Sequence, residues 1–333
     1  MELGTAKNQF LILPQNLYKE WDRFVDISPQ GSVFAKTHYL DAIGFPYQIG
    51  VLVKKGNIAG GIILVKSEIK TYSNPLFAKY LGILLRPVEG KYANKITIEK
   101  KIIEQIVSNI KWCKTFDYTF HYDFQNWMPF YWAGYRQESK YTYLISNLKN
   151  MDSLYDKMQS NARKNMRKAV KNNISIIYDI CPENFYRINE MTFLRQGGPI
   201  PYSLSFFKRF YAALKKKDSI KLLGAFDRQQ RCHSVCGLVY DNKACHLLLN
   251  GSNPDLPNME ANTLLVGKAI EYASQVSEVF DFEGSMIKSI ERFYRGFGGV
   301  MTPYHNIWKD NFFNFCKKNA LKKYKKIRYG KTF

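Results

Sequence analysis

One order of elements occurs twice along the chain, and this repetition constrains the fold more than any other feature. In the first half "YKEWDRFVDIS" is an amphipathic helix, and "YQIGVLVKKGNIAGGIILVKS" reads as two antiparallel strands joined at Lys55-Gly56-Asn57. "TIEKKIIEQIVSNIKWCKTF" spaces its apolar residues at three and four, which predicts a helix. "FDYTFHYDF" is a strand, and "WMPFYWAGYRQESKYTYLIS" gives a short helix, a glycine turn and a strand. In the second half "SLYDKMQSNARKNMRKAVKNN" is a basic helix, "ISIIYDI" a strand, and "ENFYRINEMTFLRQ" and "SLSFFKRFYAALKKK" are helices. Three antiparallel strands follow over Ile220 to Ser252, with turns at Asp227-Arg228 and Asp241-Asn242. "EANTLLVGKAIEYASQVS" is a helix, "VFDFEGS" a strand, "IERFYRGFGG" a short helix and turn, and "TPYHNIWK" the last strand. The closing segments align, with Phe116-Asp117-Tyr118 and Phe130 to Tyr135 answering Phe280-Asp281-Phe282 and Phe293 to Gly298. A duplication predicts an α/β (α+β) chain of two domains, each a mixed, mostly antiparallel sheet flanked by helices. The expected domains are 1–148 and 149–310, with a basic tail over 311–333.

The bulk numbers suit that plan. A chain of 333 residues accommodates two domains of roughly 150 each. Hydrophobic content of 46% and aromatic content of 15% supply packed cores and exclude a disordered chain. The formal net charge of +21 points to an anionic partner: nucleic acid, an anionic lipid surface or a phosphorylated ligand. Abundant Lys, Asn, Ile, Tyr and Phe also fit plain compositional bias. The start, "MELGTAKNQFLILPQN", lacks the features of a secretory signal, and the longest apolar run, Ile58 to Val65, is too short to span a bilayer. Six cysteines in a chain of this length do not imply a disulfide scaffold. The expected compartment is the cytoplasm, with the inner face of the membrane as an alternative address.

Several residues are placed to carry chemistry. On a strand, Phe280 and Phe282 point one way while Asp281 and Glu283 point the other. An acid at the end of such a strand can take a proton from an attacking ammonium, hydrogen-bond a substrate together with Ser285, or hold Arg292 or Arg295 in an ion pair. The ion pair is the preferred reading: the acids hold the arginines, which present charge to an anionic ligand. Tyr294 and Tyr304 are candidate acids for a leaving group, or simply packing residues. In the basic helix Arg163, Arg167 and Lys171 recur every four residues, as do Lys164 and Lys168. Such a cationic stripe suits phosphate oxygens, which arginine grips with two bonds. Thr192 and Arg195 lead into a Gly-Gly-Pro loop able to close as a lid. Cys232, His233, Cys236, Cys245 and His246 have no zinc-site spacing, and no metal is expected. His38, His121 and His305 are isolated. In the tail, eight basic residues and no acid stand between Lys317 and Lys331, and Phe313, Cys316, Ala320, Tyr324 and Ile327 share a helical side. That pattern suits an anionic membrane surface or RNA, or packing of the aromatic side on the second domain.

Two stretches resemble a known family. "SLYDKMQSNARKNMRKAVKNNISI" resembles the basic helix of the Fem-type peptidyltransferases and FemAB-like acetyltransferases, and "FDFEGSMIKSIERFYRGFGGVMTPY" resembles their strand, loop, F-K-x-G-F-G turn and closing strand. With the order of elements, the resemblance runs from about Tyr18 to the start of the tail. It implies tandem acyl-CoA N-acyltransferase (GNAT) domains. The implied activity is transfer of an acyl or aminoacyl group from a phosphate-bearing carrier to an amine on a cell-envelope or glycan precursor. Acyl-CoA, another acyl carrier or aminoacyl-tRNA would be the donor. Asp281, Glu283 and Tyr294 would be catalytic. Arg163, Lys164, Arg167, Lys168, Arg195, Ser285, Arg292 and Arg295 would bind substrate or phosphate. Two departures stand out. Tyr294 occupies the lysine position of the turn, with Arg295 beside it. "NGSNPDLPNMEANT" replaces the Q/R-x-x-G-x-G/A loop that grips the coenzyme A pyrophosphate in typical GNAT enzymes. The alternatives are a peptidyltransferase fed by aminoacyl-tRNA, and a non-catalytic binding protein on a degenerate GNAT fold.

Overall fold

The computed structural model describes residues 9–68 and 71–309; the expected basic tail at 311–333 lies outside them. The chain parts into two compact units, one of the described residues up to Lys140 and from Pro303 on, the other Tyr141–Thr302.

The first unit contains β1 Gln9–Ile12, α1 Tyr18–Ile27, α2 Thr37–Ile43, β2 Tyr47–Lys54, β3 Asn57–Glu68, β4 Thr71–Ser73, β5 Ile83–Leu85, α3 Tyr92–Asn109, β6 Thr115–Thr119 and α4 Met128–Trp132. Its strands run in the order β1-β2-β3-β4-β6, with β5 also on β3, and among the described residues only β4 and β6 pair in parallel. The β2–β3 hairpin closes at Lys55-Gly56, where the sequence put its turn. The middle of β2 is buried on both faces, as expected of a strand covered on both sides. Trp21, Phe24, Tyr39, Phe116, Tyr118 and Phe130 form the aromatic heart of this core.

β7, Arg136–Ser146, starts in the first unit and ends in the second. The second unit continues with α5 Met151–Lys157, α6 Ser160–Lys171, β8 Ser175–Tyr178, α7 Pro182–Arg195, α8 Leu204–Lys215, β9 Ile220–Phe226, β10 Cys232–Tyr240, β11 Ala244–Ser252, α9 Ala261–Val276, β12 Val279–Asp281 and α10 Lys288–Arg295. β13, Val300–Lys309, starts in this unit, and its far end pairs with β6 in the first. The order here is β7-β12-β11-β10-β9-β8, antiparallel except for β11 with β12. Every residue of β10 is buried, because α7 packs on one face and α9 on the other. The chain is thus a mixed α/β protein with mostly antiparallel sheet and flanking helices, as the repeat predicts.

Three details depart from the sequence reading. The basic helix is two helices: Met158 and Gln159 are extended, and the Gln159 N–H donates to the Gly296 carbonyl at 2.9 Å instead of continuing the helix. The division between units falls inside β7 and β13 rather than after 148 and 310, because each half's closing strand ends in the other half's sheet. The short elements β1, β4, β5 and α2 have no counterpart in the sequence reading. No helix among the described residues is long and apolar enough to cross a membrane.

Candidate functional site

The only parallel pair in the second unit creates an opening. β11 and β12 pair over Ala244–His246 and Val279–Asp281 and no further. β11 runs on to Ser252, whereas the chain after Asp281 stays with β7, the Phe282 N–H donating to the Tyr143 carbonyl at 3.2 Å. The two strands therefore part at His246 and Asp281. Beyond that point β11 has no strand partner on this side among the described residues.

The apex of this notch is polar. Asp281 and His246 are both fully buried. Asp281 Oδ1 accepts the Thr142 hydroxyl at 2.5 Å and the Glu283 N–H at 2.8 Å, and Oδ2 lies 3.3 Å from His246 Nδ1. Burial would raise the Asp281 pKa, but the hydrogen bond and charge of His246, with the Thr142 and Glu283 donors, hold it below the ordinary carboxylate value. Burial would lower the His246 pKa, but Asp281 raises it above the ordinary imidazole value. Next to this pair the chain turns on two left-handed residues, Glu283 at φ 55° and Gly284 at φ 67°. A Cβ on Gly284 would lie 1.9 Å from the Tyr141 carbonyl oxygen, so only glycine fits there. Glu283 stores strain of the kind found at functional sites, and its half-buried side chain stands at the lip of the notch.

Asp281 and Arg295 therefore do not pair with each other. Asp281 is taken by His246, and Arg295 Nε donates to Glu291 Oε1 at 2.8 Å, one turn back on α10. Glu291 also accepts the Tyr143 hydroxyl, and these two bonds lower its pKa. Arg292 is exposed. Ser285 Oγ accepts the Ile287 N–H at 3.1 Å, a local turn at the start of α10. Tyr294 packs on Phe282 with ring centroids 4.9 Å apart, and burial raises the pKa of its hydroxyl.

A second feature of this unit is a pocket of about 570 Å³ at the N-terminus of α9, with Asn165, Arg195, His233, Ser252, Asn258 and Asn262 in its wall. Arg195 ends α7, which is fastened to β11 where the Ser252 N–H donates to Thr192 Oγ1 at 2.9 Å. His233 Nε2 lies 3.2 Å from Asp227 Oδ2. Burial opposes ionisation of Asp227, but the Arg231 amide and guanidinium and then His233 hold its pKa well below the carboxylate range. The first turn of α9 lines this pocket, so its N–H groups and dipole favour an anion there. Glu260, at φ 60° just before α9, has its carboxylate 3.9 Å from Lys168.

The predicted phosphate ligands divide between places. Arg195 is in the pocket at α9. Arg163 and Arg167 line a different groove, between α6 and α9, with Lys171. Lys168 turns toward Glu260, Lys164 is exposed, and Arg295 is held by Glu291. Thr142, His246, the His233–Asp227 pair and Glu291 were all missed in the sequence. His246 looks like a polar residue in an apolar strand until the register with a strand 35 positions later is known.

No protein-family profile matches the sequence, and no curated protein matches it. Solved structures do match. FemX has a TM-score of 0.66 at 12% identity, covering 89% of this chain and 96% of its own. The C-terminal domain of a putative lysylphosphatidylglycerol synthetase from Agrobacterium fabrum gives 0.56 at 10%, covering 91% and 96%. A tandem GNAT protein from the clavulanic acid biosynthesis pathway gives 0.53 at 11%, covering 90% and 97%. At these identities the likeness is one of fold: a tandem GNAT arrangement of the FemAB-like type.

Proposed function

We propose that this protein transfers an acyl or aminoacyl group from a phosphate-bearing carrier to an amine on a cell-envelope or glycan precursor. The observation that carries the reading is the parting of β11 and β12 at a buried acid–histidine pair, with an anion-favouring pocket further along β11. From His246 to Ser252 is six residues, about 20 Å of strand. A carrier with its phosphate near Arg195 and the first turn of α9 can lay an extended arm along the open edge of β11 and bring its carbonyl to the notch. Backbone groups of β11 beyond His246 would orient and polarise that carbonyl.

Glu283 is the proposed proton acceptor. The amine nitrogen attacks the carbonyl carbon, the new C–N bond forms, and Glu283 takes the ammonium proton. The bond from carbonyl carbon to the carrier sulfur or oxygen breaks, and the carrier leaves with a proton. Tyr294 is the candidate donor of that proton. Asp281 is a positioning residue in this scheme, since its oxygens are occupied by Thr142, His246 and the Glu283 amide.

Pro257, in the wall of this pocket just before α9, favours a donor other than coenzyme A, because proline offers no N–H to cradle a pyrophosphate. Aminoacyl-tRNA is the reading this supports. The test is binding of tRNA, acyl-CoA and free coenzyme A to the purified chain, followed by thermal shift and salt titration. Aminoacyl-tRNA binding that weakens steeply with salt supports this donor; tight coenzyme A binding overturns it. Failure to bind either carrier favours a non-catalytic binding role.

A further inference from the structure

The groove between α6 and α9 has a chemistry the transfer scheme does not use. Its floor is apolar: Met166 and Val170 from α6 and Leu264 from α9. Its rim is cationic: Arg163, Arg167 and Lys171 on α6 and Lys268 on α9. The volume is about 610 Å³, within the range of pockets that take small molecules. Val170 is 60% exposed, so part of the floor lies open. α6 and α9 pack closely beneath it: a Cβ on Gly267 would lie 2.3 Å from Met166 Cε.

The charges are not alike. Lys268 Nζ lies 2.6 Å from Glu271 Oε2, and Glu271 also accepts the Tyr155 hydroxyl at one end of the groove. Arg163, Arg167 and Lys171 enter no ion pair among the described residues. Three uncompensated cations, one per helical turn, thus stand along an apolar trough. Around these cations the wall offers Met166, Val170, Leu264 and the ring of Tyr155, whose hydroxyl is given to Glu271. That suits neither a nucleobase nor a peptide backbone, both of which need polar partners. An aliphatic chain needs none, and a phosphate head matches the guanidinium fork.

We infer that this groove binds one anionic alkyl phosphate, its chain on Met166, Val170 and Leu264 and its head on Arg163, Arg167 and Lys171. The ligand class is a phosphate-linked lipid taken up as a single molecule. The inference goes beyond the transfer reading and does not depend on it, because its test reads binding alone.

The probes are dodecyl phosphate, hexyl phosphate, inorganic phosphate and dodecyl maltoside, each below its micelle concentration, titrated calorimetrically into the intact chain. Dodecyl phosphate is expected to bind best, with affinity rising roughly two- to fourfold per added methylene between the two alkyl phosphates. Arg167→Glu and Val170→Asp, both at exposed positions, should each weaken it by about tenfold or more while leaving thermal unfolding unchanged. Lys216→Glu, at an exposed charge just past the C-terminal end of α8, should change it by less than about twofold. Affinity independent of chain length, or equal losses from Arg167→Glu and Lys216→Glu, would overturn the inference in favour of general attraction to a basic protein. So would binding to anionic vesicles with no binding of monomeric dodecyl phosphate.

Discussion

Replacing Asp281 with asparagine tests how the notch is held. The carboxylate makes two hydrogen bonds and the contact with His246 Nδ1, all at zero exposure. Asparagine keeps Oδ1 and with it both of those bonds, puts an NH2 group in place of the Oδ2 that faces His246, and removes the charge. His246 is then left buried without its counter-charge, and breaking a buried pair in this way costs about 3–5 kcal/mol. For a unit of this size that lowers the melting temperature by on the order of 10 °C. The cost has a pH signature. The folded-state pKa of His246 is raised, so its contribution is complete below the ordinary value of 6.5 and is lost as pH climbs through the higher folded value. The folded-state pKa of Asp281 is lowered, so its contribution is complete above 3.8 and is lost as pH falls through the lower folded value. The difference between wild type and Asp281→Asn should therefore peak between those two values and shrink toward alkaline pH. Urea unfolding of both proteins across that range, followed by circular dichroism, measures it. A cost under about 1 kcal/mol, or one that does not change with pH, would refute the claim that a charged pair holds the apex.

Other substitutions probe the contacts around the notch and the pocket. Thr142→Val removes the hydroxyl donor to Asp281 at nearly constant volume and should cost about 1.5–3 kcal/mol in the same unfolding assay. Gly284→Ala combines φ 67° with a clash on the Tyr141 carbonyl, and should cost at least about 3 kcal/mol or prevent accumulation of folded protein. Arg195→Ala should weaken carrier binding by about tenfold, read by titration, with unfolding unchanged because the side chain is exposed.

Much of the architecture was legible because it is local. The β2–β3 hairpin and the β9–β10–β11 meander announce themselves by apolar runs and turn residues, and α3 and α9 by their apolar spacing. The break between α5 and α6 was not legible, because Gln159 leaves the helix to reach the Gly296 carbonyl, a partner fixed by tertiary structure. The site was half legible. The sequence reading put candidate chemistry at the FDFEGS strand end, and Asp281 and Glu283 lie where β11 and β12 part. Their partners were not recognisable. Arg295 had an acid one turn away in Glu291, and that local pair forms in place of the long-range one. His246 meets Asp281 only through parallel strand register, which neither strand encodes alone. The α6 cations were seen as one stripe, but the helix carries Arg163 and Arg167 to the groove and Lys168 to Glu260, so one sequence feature serves two places.

The central claim is that Glu283 accepts a proton from an amine at the notch. The most direct measurement is a single-turnover transfer assay, with label on the acyl or aminoacyl group of the carrier that binds and a primary-amine acceptor, comparing wild type with Glu283→Gln. Wild type is expected to form the amide and the variant to react about 10²–10⁴-fold more slowly, with carrier affinity and unfolding unchanged. Equal transfer rates for the two proteins would contradict it, as would no transfer by wild type from a carrier it binds.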